Sequence, residues 1–181
     1  AAITNVSPNH LNWHTDMNEY IRSKENIFLH DGNERLVLNY GCEITRDMYS
    51  LSKAEITYFS AHTKPSLEHA SAAVYLAGED IVYSTKSGSE IIMSRADIKL
   101  PGIHNVENYM TAIALTRGYV SNDTIVSLAR EFGGVEHRCE FVREYNGVKY
   151  YNSSIDSRQT RTEAALRSFS QRLIVFCGGY D

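Results

Sequence analysis

Five stretches of the 181-residue chain carry side chains able to do chemistry. The first is Asn5-Val6-Ser7-Pro8-Asn9-His10-Leu11-Asn12-Trp13-His14. A strand pattern ends at Val6, and a polar turn with two histidines and two asparagines follows. Loops at strand ends are where α/β enzymes keep their sites. His10 can ligate a metal through a neutral ring nitrogen; it can equally cap the turn or pack on Trp13. Magnesium is met mostly by carboxylates, phosphates and water, so a histidine would be an unusual partner for it. The second is Lys24, on the same helical stripe as Met17, Tyr20, Ile21 and Phe28. One reading is a lysine lying along the apolar face with its amine in water. The other is a sheltered amine, made nucleophilic by burial. Such an amine adds carbon dioxide to give a carbamate, whose oxygens suit a hard divalent cation.

The third stretch, Gly102-Ile103-His104-Asn105-Val106-Glu107-Asn108, opens a helix. Asn105 and Asn108 are three apart and share a face. Their amides both donate and accept, as a nucleobase edge or a phosphate requires. Asn105 is also a natural capping residue. In the fourth, Gly134–Phe141, Arg138 can clamp a phosphate at a domain junction. Its alternative is a surface ion pair with Glu136 or Glu140, worth at most about 1 kcal/mol. The fifth, Asn152–Thr162, sets hydroxyls and two arginines before a helix start, where anions are attracted; a capped, solvated loop is the plainer reading.

These residues need elements to hold them. Asp16–Phe28 has helical periodicity with a cap at Thr15 or Asp16. Leu36–Tyr40, Ile56–Ser60, Asp80–Ser84 and Glu90–Ser94 are β-prone, separated by turns at Asp31-Gly32, Gly78-Glu79 and Ser87–Ser89. Asn105–Thr116 presents Val106, Tyr109, Met110, Ile113 and Ala114 on one face. Asp123–Phe132 presents Ile125, Val126, Leu128, Ala129 and Phe132. Asn146-Gly147 between Glu140–Tyr145 and Val148–Tyr151 is a hairpin signal. The helix Thr162–Phe169 then leads to a buried-strand pattern, Leu173–Cys177. The fold class expected is α/β, in two parts, residues 1–134 and 135–181, that meet near Gly134. Both ends read as cut, as in a piece of a longer protein.

Composition narrows the function. There are 18 Lys+Arg against 22 Asp+Glu, a net charge of −4 without a basic cluster, which disfavours nucleic acid. The longest apolar run, Leu173–Cys177, is far short of the roughly 20 residues a membrane span needs. Three scattered cysteines without a CxxC suit a reducing cytoplasm. The sequence has no G-x-x-x-x-G-K-[ST], G-x-S-x-G, H-E-x-x-H or G-x-G-x-x-G.

Taken in order, Asn5–His14, Tyr20–Lys24, Gly102–Asn108, Glu136–Phe141, Tyr151–Thr162 and Val175–Asp181 resemble the Mur ligases. The resemblance spans essentially the whole chain. Nearest is the branch that adds D-glutamate to UDP-N-acetylmuramoyl-L-alanine. It implies the later part of the family's central ATPase domain, a mixed sheet with helices, followed by the start of a Rossmann-like C-terminal domain. It implies ATP and Mg2+, and amide formation through an acyl phosphate in peptidoglycan precursor synthesis, with the parent a monomeric cytoplasmic enzyme. By the same resemblance His10 is a metal ligand and Lys24 a carbamylated lysine at the second metal. Asn105 and Asn108 belong to the ATP site, with Asn108 near adenine. His137 and Arg138 match the His-Arg pair at the domain junction, with Arg138 reaching phosphate, and Ser154 and Ser157 are hydroxyls for the incoming D-glutamate. The chain departs from the family where Asn152-Ser153-Ser154-Ile155 replaces the usual Asn-Asp-Ser-Lys, and where Asn9 and Asn12 replace aspartates. Other readings are a ligase of the same family or of the folylpolyglutamate synthetase kind with another amino-acid substrate, and a non-catalytic nucleotide-binding relative.

Overall fold

Alternation along two strands divides the molecule into layers. In β2 (Arg35–Asn39), Leu36 and Leu38 face one way and Val37 the other, and all three are 0% exposed. In β3 (Glu55–Ser60), Ile56 and Tyr58 share the first side while Phe59 takes the second. A sheet apolar on both faces must be covered on both. The computed structural model describes residues 1–7, 13–30, 32, 34–155 and 159–178.

The cover on the first face begins with α1 (Met17–Leu29). Asp16 caps it by accepting from the Glu19 N–H at 2.9 Å, and Tyr20 and Phe28 are buried beneath it. A short helix, α2 (Glu43–Asp47), follows β2 on the same side. The second face is covered by α3 (Ile103–Thr116) and α4 (Asn122–Glu131). Met110, Ile113 and Ala114 of α3 pack there with Val37, Phe59 and Val74. Burying a side chain such as Ile113 contributes about 1.5–3 kcal/mol.

The strands complete a six-stranded mixed sheet in sequence order. β1 (Ala2–Ile3), β2, β3 and β4 (Ala72–Ala77) run parallel. β5 (Asp80–Thr85) and β6 (Gly88–Ser94) return antiparallel. Apart from it, β7 (Glu140–Tyr145) and β8 (Val148–Asn152) form a hairpin. Its turn residues Asn146 and Gly147 have φ of 50° and 76°, as a two-residue turn of this hand demands. Helix α5 (Gln159–Arg167) follows, a few residues earlier than the sequence pattern placed it. Phe141, Tyr151 and Phe169 form an aromatic row, with ring centres 5.5 and 4.8 Å apart.

Three expectations need correction. Leu173–Cys177 is not a strand, and Ile174 and Phe176 are 86% and 93% exposed. A strand needs a neighbour for its N–H and C=O groups, and among the described residues none lies alongside. Leu128 and Phe132 do not face inward; they are 57% and 40% exposed, because α4 buries the narrower stripe of Ile125 and Ala129. Finally, β4 and α2 stand where the sequence pattern predicted neither. No helix among the described residues is long and apolar enough to cross a membrane.

Candidate functional site

Of the candidate residues, Asn105 and Asn108 are the pair that the fold places at one end of the parallel strands. β1, β2 and β3 finish at Ile3, Asn39 and Ser60. Helix α3 runs back against them. Arg35, at the start of β2, donates to the carbonyls of Ala114 and Arg117 at the far end of α3. The first turn of α3, with Asn105 and Asn108, therefore lies at the carboxyl end of the strands. That is where open α/β sheets bind ligands.

Asn105 and Asn108 are brought together but do different work. Asn105 donates to the Pro101 carbonyl at 2.7 Å and so fastens the chain entering α3. Asn108 is exposed, and its amide makes one long contact, 3.4 Å, to the Asn105 oxygen. An exposed amide offers both a donor and an acceptor, the pair a nucleobase edge requires. Between them Glu107 turns inward. Burial holds its carboxyl above the ordinary value, opposed by His62 and the Ala61 N–H.

Lys24 sits two turns into α1 and is exposed. Its Nζ lies 5.5 Å from the centre of the buried Tyr20 ring, a cation–π contact one turn back. Among the described residues nothing shelters it, so the burial expected to make its amine nucleophilic is not found there. The Tyr20 ring also meets the His14 ring, with centres 5.3 Å apart. Glu19 fastens the entry to this helix, accepting from the Thr15 N–H and hydroxyl at 2.6 and 2.7 Å. Those bonds hold its carboxyl below the ordinary range. Trp13 is 82% exposed. His10 and Ser157 lie outside the described residues. Among the described residues no group of three His, Cys, Asp or Glu gathers to hold a metal. The donor chemistry still fits a hard cation. A carbamate on Lys24 would supply oxygens and His10 a nitrogen, and phosphate and water commonly complete such sites.

Arg138 is exposed and, among the described residues, its guanidinium has no hydrogen bond or ion pair. It is flanked by strain: His137 and Cys139 have φ of 65° and 47°. Non-glycine residues at such φ cost on the order of 1 kcal/mol or more and need support. Asn152 supplies it through a 2.9 Å contact with the His137 ring, and Ser153 accepts from the Cys139 N–H at 3.2 Å. Glu140 accepts from the His137 N–H at 2.9 Å. The Asn152 oxygen also receives the Ser154 N–H, leaving Ser154 exposed on the next turn. Ser153 thus braces the arginine turn. Sequence reasoning did not foresee this bracing; an Asn-Ser pair closing a hairpin opposite His-Arg-Cys was its only visible sign.

Comparison with known proteins identifies the family. Residues 1–116 match the Mur ligase middle domain. The chain belongs to the Mur ligases. It is 48% identical, over its full length, to the UDP-N-acetylmuramoylalanine--D-glutamate ligase of Ruminiclostridium cellulolyticum, and 45% identical to that of Acetivibrio thermocellus. It spans 38% of the length of each. Among solved structures, MurF from Acinetobacter baumannii superposes with a TM-score of 0.69 over 95% of this chain and 37% of its own, at 19% identity. That likeness concerns the fold.

Proposed function

We propose that the protein to which this chain belongs is an ATP-dependent ligase that joins D-glutamate to UDP-N-acetylmuramoyl-L-alanine. The observation that carries the proposal is the 48% identity, over the whole chain, to a ligase of that name. In the reaction a carboxylate oxygen of the acceptor attacks the γ-phosphorus, and ADP leaves. The amine of D-glutamate then attacks the acyl phosphate, and phosphate leaves with formation of the amide. Magnesium supplies neutralisation of phosphate charge.

The residues of this chain take the following parts. Asn108 reads the adenine edge and Asn105 fixes the helix start beneath it. Arg138 pairs with phosphate from its braced turn, with His137 as the anchor of that turn. His10 and the carbamate of Lys24 are the metal ligands, and Ser154 and Ser157 meet the incoming amino acid. The chain divides near Gly134, where φ is +102° and the main sheet gives way to the separate hairpin. The enzyme works as a cytoplasmic monomer in the synthesis of wall precursors, and so in cell shape and division.

The test is phosphate release by the full-length protein with ATP and nucleotide-linked muramoyl acceptors, assayed with D-glutamate, L-alanine and diamino acids in turn. Only D-glutamate is expected to sustain release. Release with a different amino acid reassigns the substrate, and none with any of them leaves a nucleotide-binding relative without turnover.

A further inference from the structure

We propose that Asn152 is a positioning residue that sets the tautomer of His137, so that this histidine offers a ring N–H next to Arg138. The consequence for ATP rests on the reading that this turn meets phosphate; the tautomer itself does not.

Which end of the Asn152 amide faces the ring is fixed by its other neighbours. The Ser154 N–H, a group that only donates, lies 3.1 Å from Asn152 Oδ1. Oδ1 is therefore engaged as an acceptor, and Nδ2 is the end turned to His137. Glu140 agrees with that orientation. Its Oε2 lies 3.5 Å from Asn152 Nδ2, where an amide oxygen would meet a carboxylate oxygen instead. Nδ2 only donates, and it stands 2.9 Å from His137 Nδ1. Nδ1 must then accept, and the proton of the neutral ring goes to Nε2.

A proton on Nδ1 would need another acceptor. The carboxylate beside it, Glu140 Oε2, is 3.8 Å away, too far for a hydrogen bond. That oxygen already takes the His137 main-chain N–H at 2.9 Å. The residue is also pinned at its other main-chain group, since its carbonyl accepts from the Ile155 N–H at 3.3 Å. The positive φ of 65° is thus held from three directions: N–H, carbonyl and ring. Nε2 is the atom left over. Among the described residues nothing bonds to it, and the His137 side chain is 60% exposed. Arg138, the next residue, is exposed as well. A neutral N–H and a guanidinium on successive residues suit the oxygens of a phosphate, which accept from both. The reverse tautomer would offer those oxygens a bare lone pair.

The experiment uses the full-length protein with isotope-labelled histidine nitrogens. Long-range proton–nitrogen correlation spectra tell the two ring nitrogens apart, and they are recorded well above the ordinary histidine value of about 6.5. His137→Ala assigns the signal. Wild-type His137 is expected in the Nε2–H form. Asn152→Asp puts an acceptor where the donor stood, and its ring is expected to carry the proton on Nδ1. Wild-type protein with Nδ1 protonated, or an Asn152→Asp protein that keeps the Nε2–H form, overturns the proposal. Half-saturating ATP is then measured for wild type, His137→Ala and Asn152→Leu, which has a similar size and adds no charge. Both variants are expected to raise it by about tenfold or more. Wild-type ATP dependence in Asn152→Leu, while His137→Ala raises the value, also overturns the proposal. If His137→Ala leaves ATP dependence unchanged, the phosphate reading of this turn fails instead. The spectra then decide the role of Asn152 alone, by the same two outcomes.

Discussion

Glu107 and Asn108 are adjacent on α3, yet one faces protein and the other solvent. Burial raises the carboxyl of Glu107 above the ordinary 4.5, so the folded protein holds that proton more tightly than the unfolded chain. Its contribution to stability is complete below the unfolded value and is lost as pH rises through the folded one. Glu107→Gln should therefore melt at the wild-type temperature near pH 4 and above it once the wild-type carboxyl has ionised. Parallel melting curves across the range would show that the group is not desolvated. Lys24 gives the second prediction at this scale. Lys24→Ala in the full-length enzyme should abolish most ligase activity, and short carboxylates added to the assay should partly restore it. No rescue, with no carbon dioxide adduct on Lys24 by mass spectrometry, would leave only the contact with Tyr20. The sequence pattern foresaw the stripe that puts Tyr20 and Lys24 one turn apart. It could not show that the His14 ring would meet the same tyrosine, since that contact comes from outside the helix.

Helix α3 begins at a residue that only glycine serves well. Gly102 has φ of +98°, and a Cβ there would lie 2.4 Å from Ser168 Oγ and 2.7 Å from the His104 ring. Gly102→Ala thus meets both backbone strain and collision, a cost of about 1–3 kcal/mol for the strain alone. The expected result is a lower melting temperature together with a raised half-saturating ATP concentration, because Asn105 and Asn108 ride on that first turn. A stability loss with unchanged ATP dependence would separate the turn from the nucleotide site. Legibility at this scale followed local signals. The cap at Asp16, the strands β2 and β3 and the Asn146-Gly147 turn all appear where residue patterns put them. β4 was hidden because Ala72-Ala73 lack the branched side chains that mark a strand, and its pairing with both β3 and β5 comes from the sheet. The strand expected at Leu173–Cys177 failed for the reverse reason: its residues are right, but no described strand pairs with it.

Across the whole molecule the two ends of the sheet differ. The ends of β1, β2 and β3 and the first turn of α3 gather at the carboxyl end of the parallel strands. At the other end an open groove of about 660 Å³, lined by Tyr49, His69, Ser71 and Lys86, lies away from the candidate chemistry. The α/β class was readable in the sequence, because periodicity and short motifs carry it, whereas the parts proposed for Asn108, Lys24 and Arg138 came from the resemblance to the Mur ligases. The bracing of Arg138 by Asn152 and Ser153 was not readable, since it joins residues brought together by the hairpin register. One feature of the working end bears on how it can be watched. Trp13 is the single tryptophan among 12 tyrosines, and it stands exposed between His10 and His14. Red-edge excitation of this chain therefore samples one place, and a change in the colour or polarisation of its emission reports on the segment that carries the candidate metal ligand, with no dye attached.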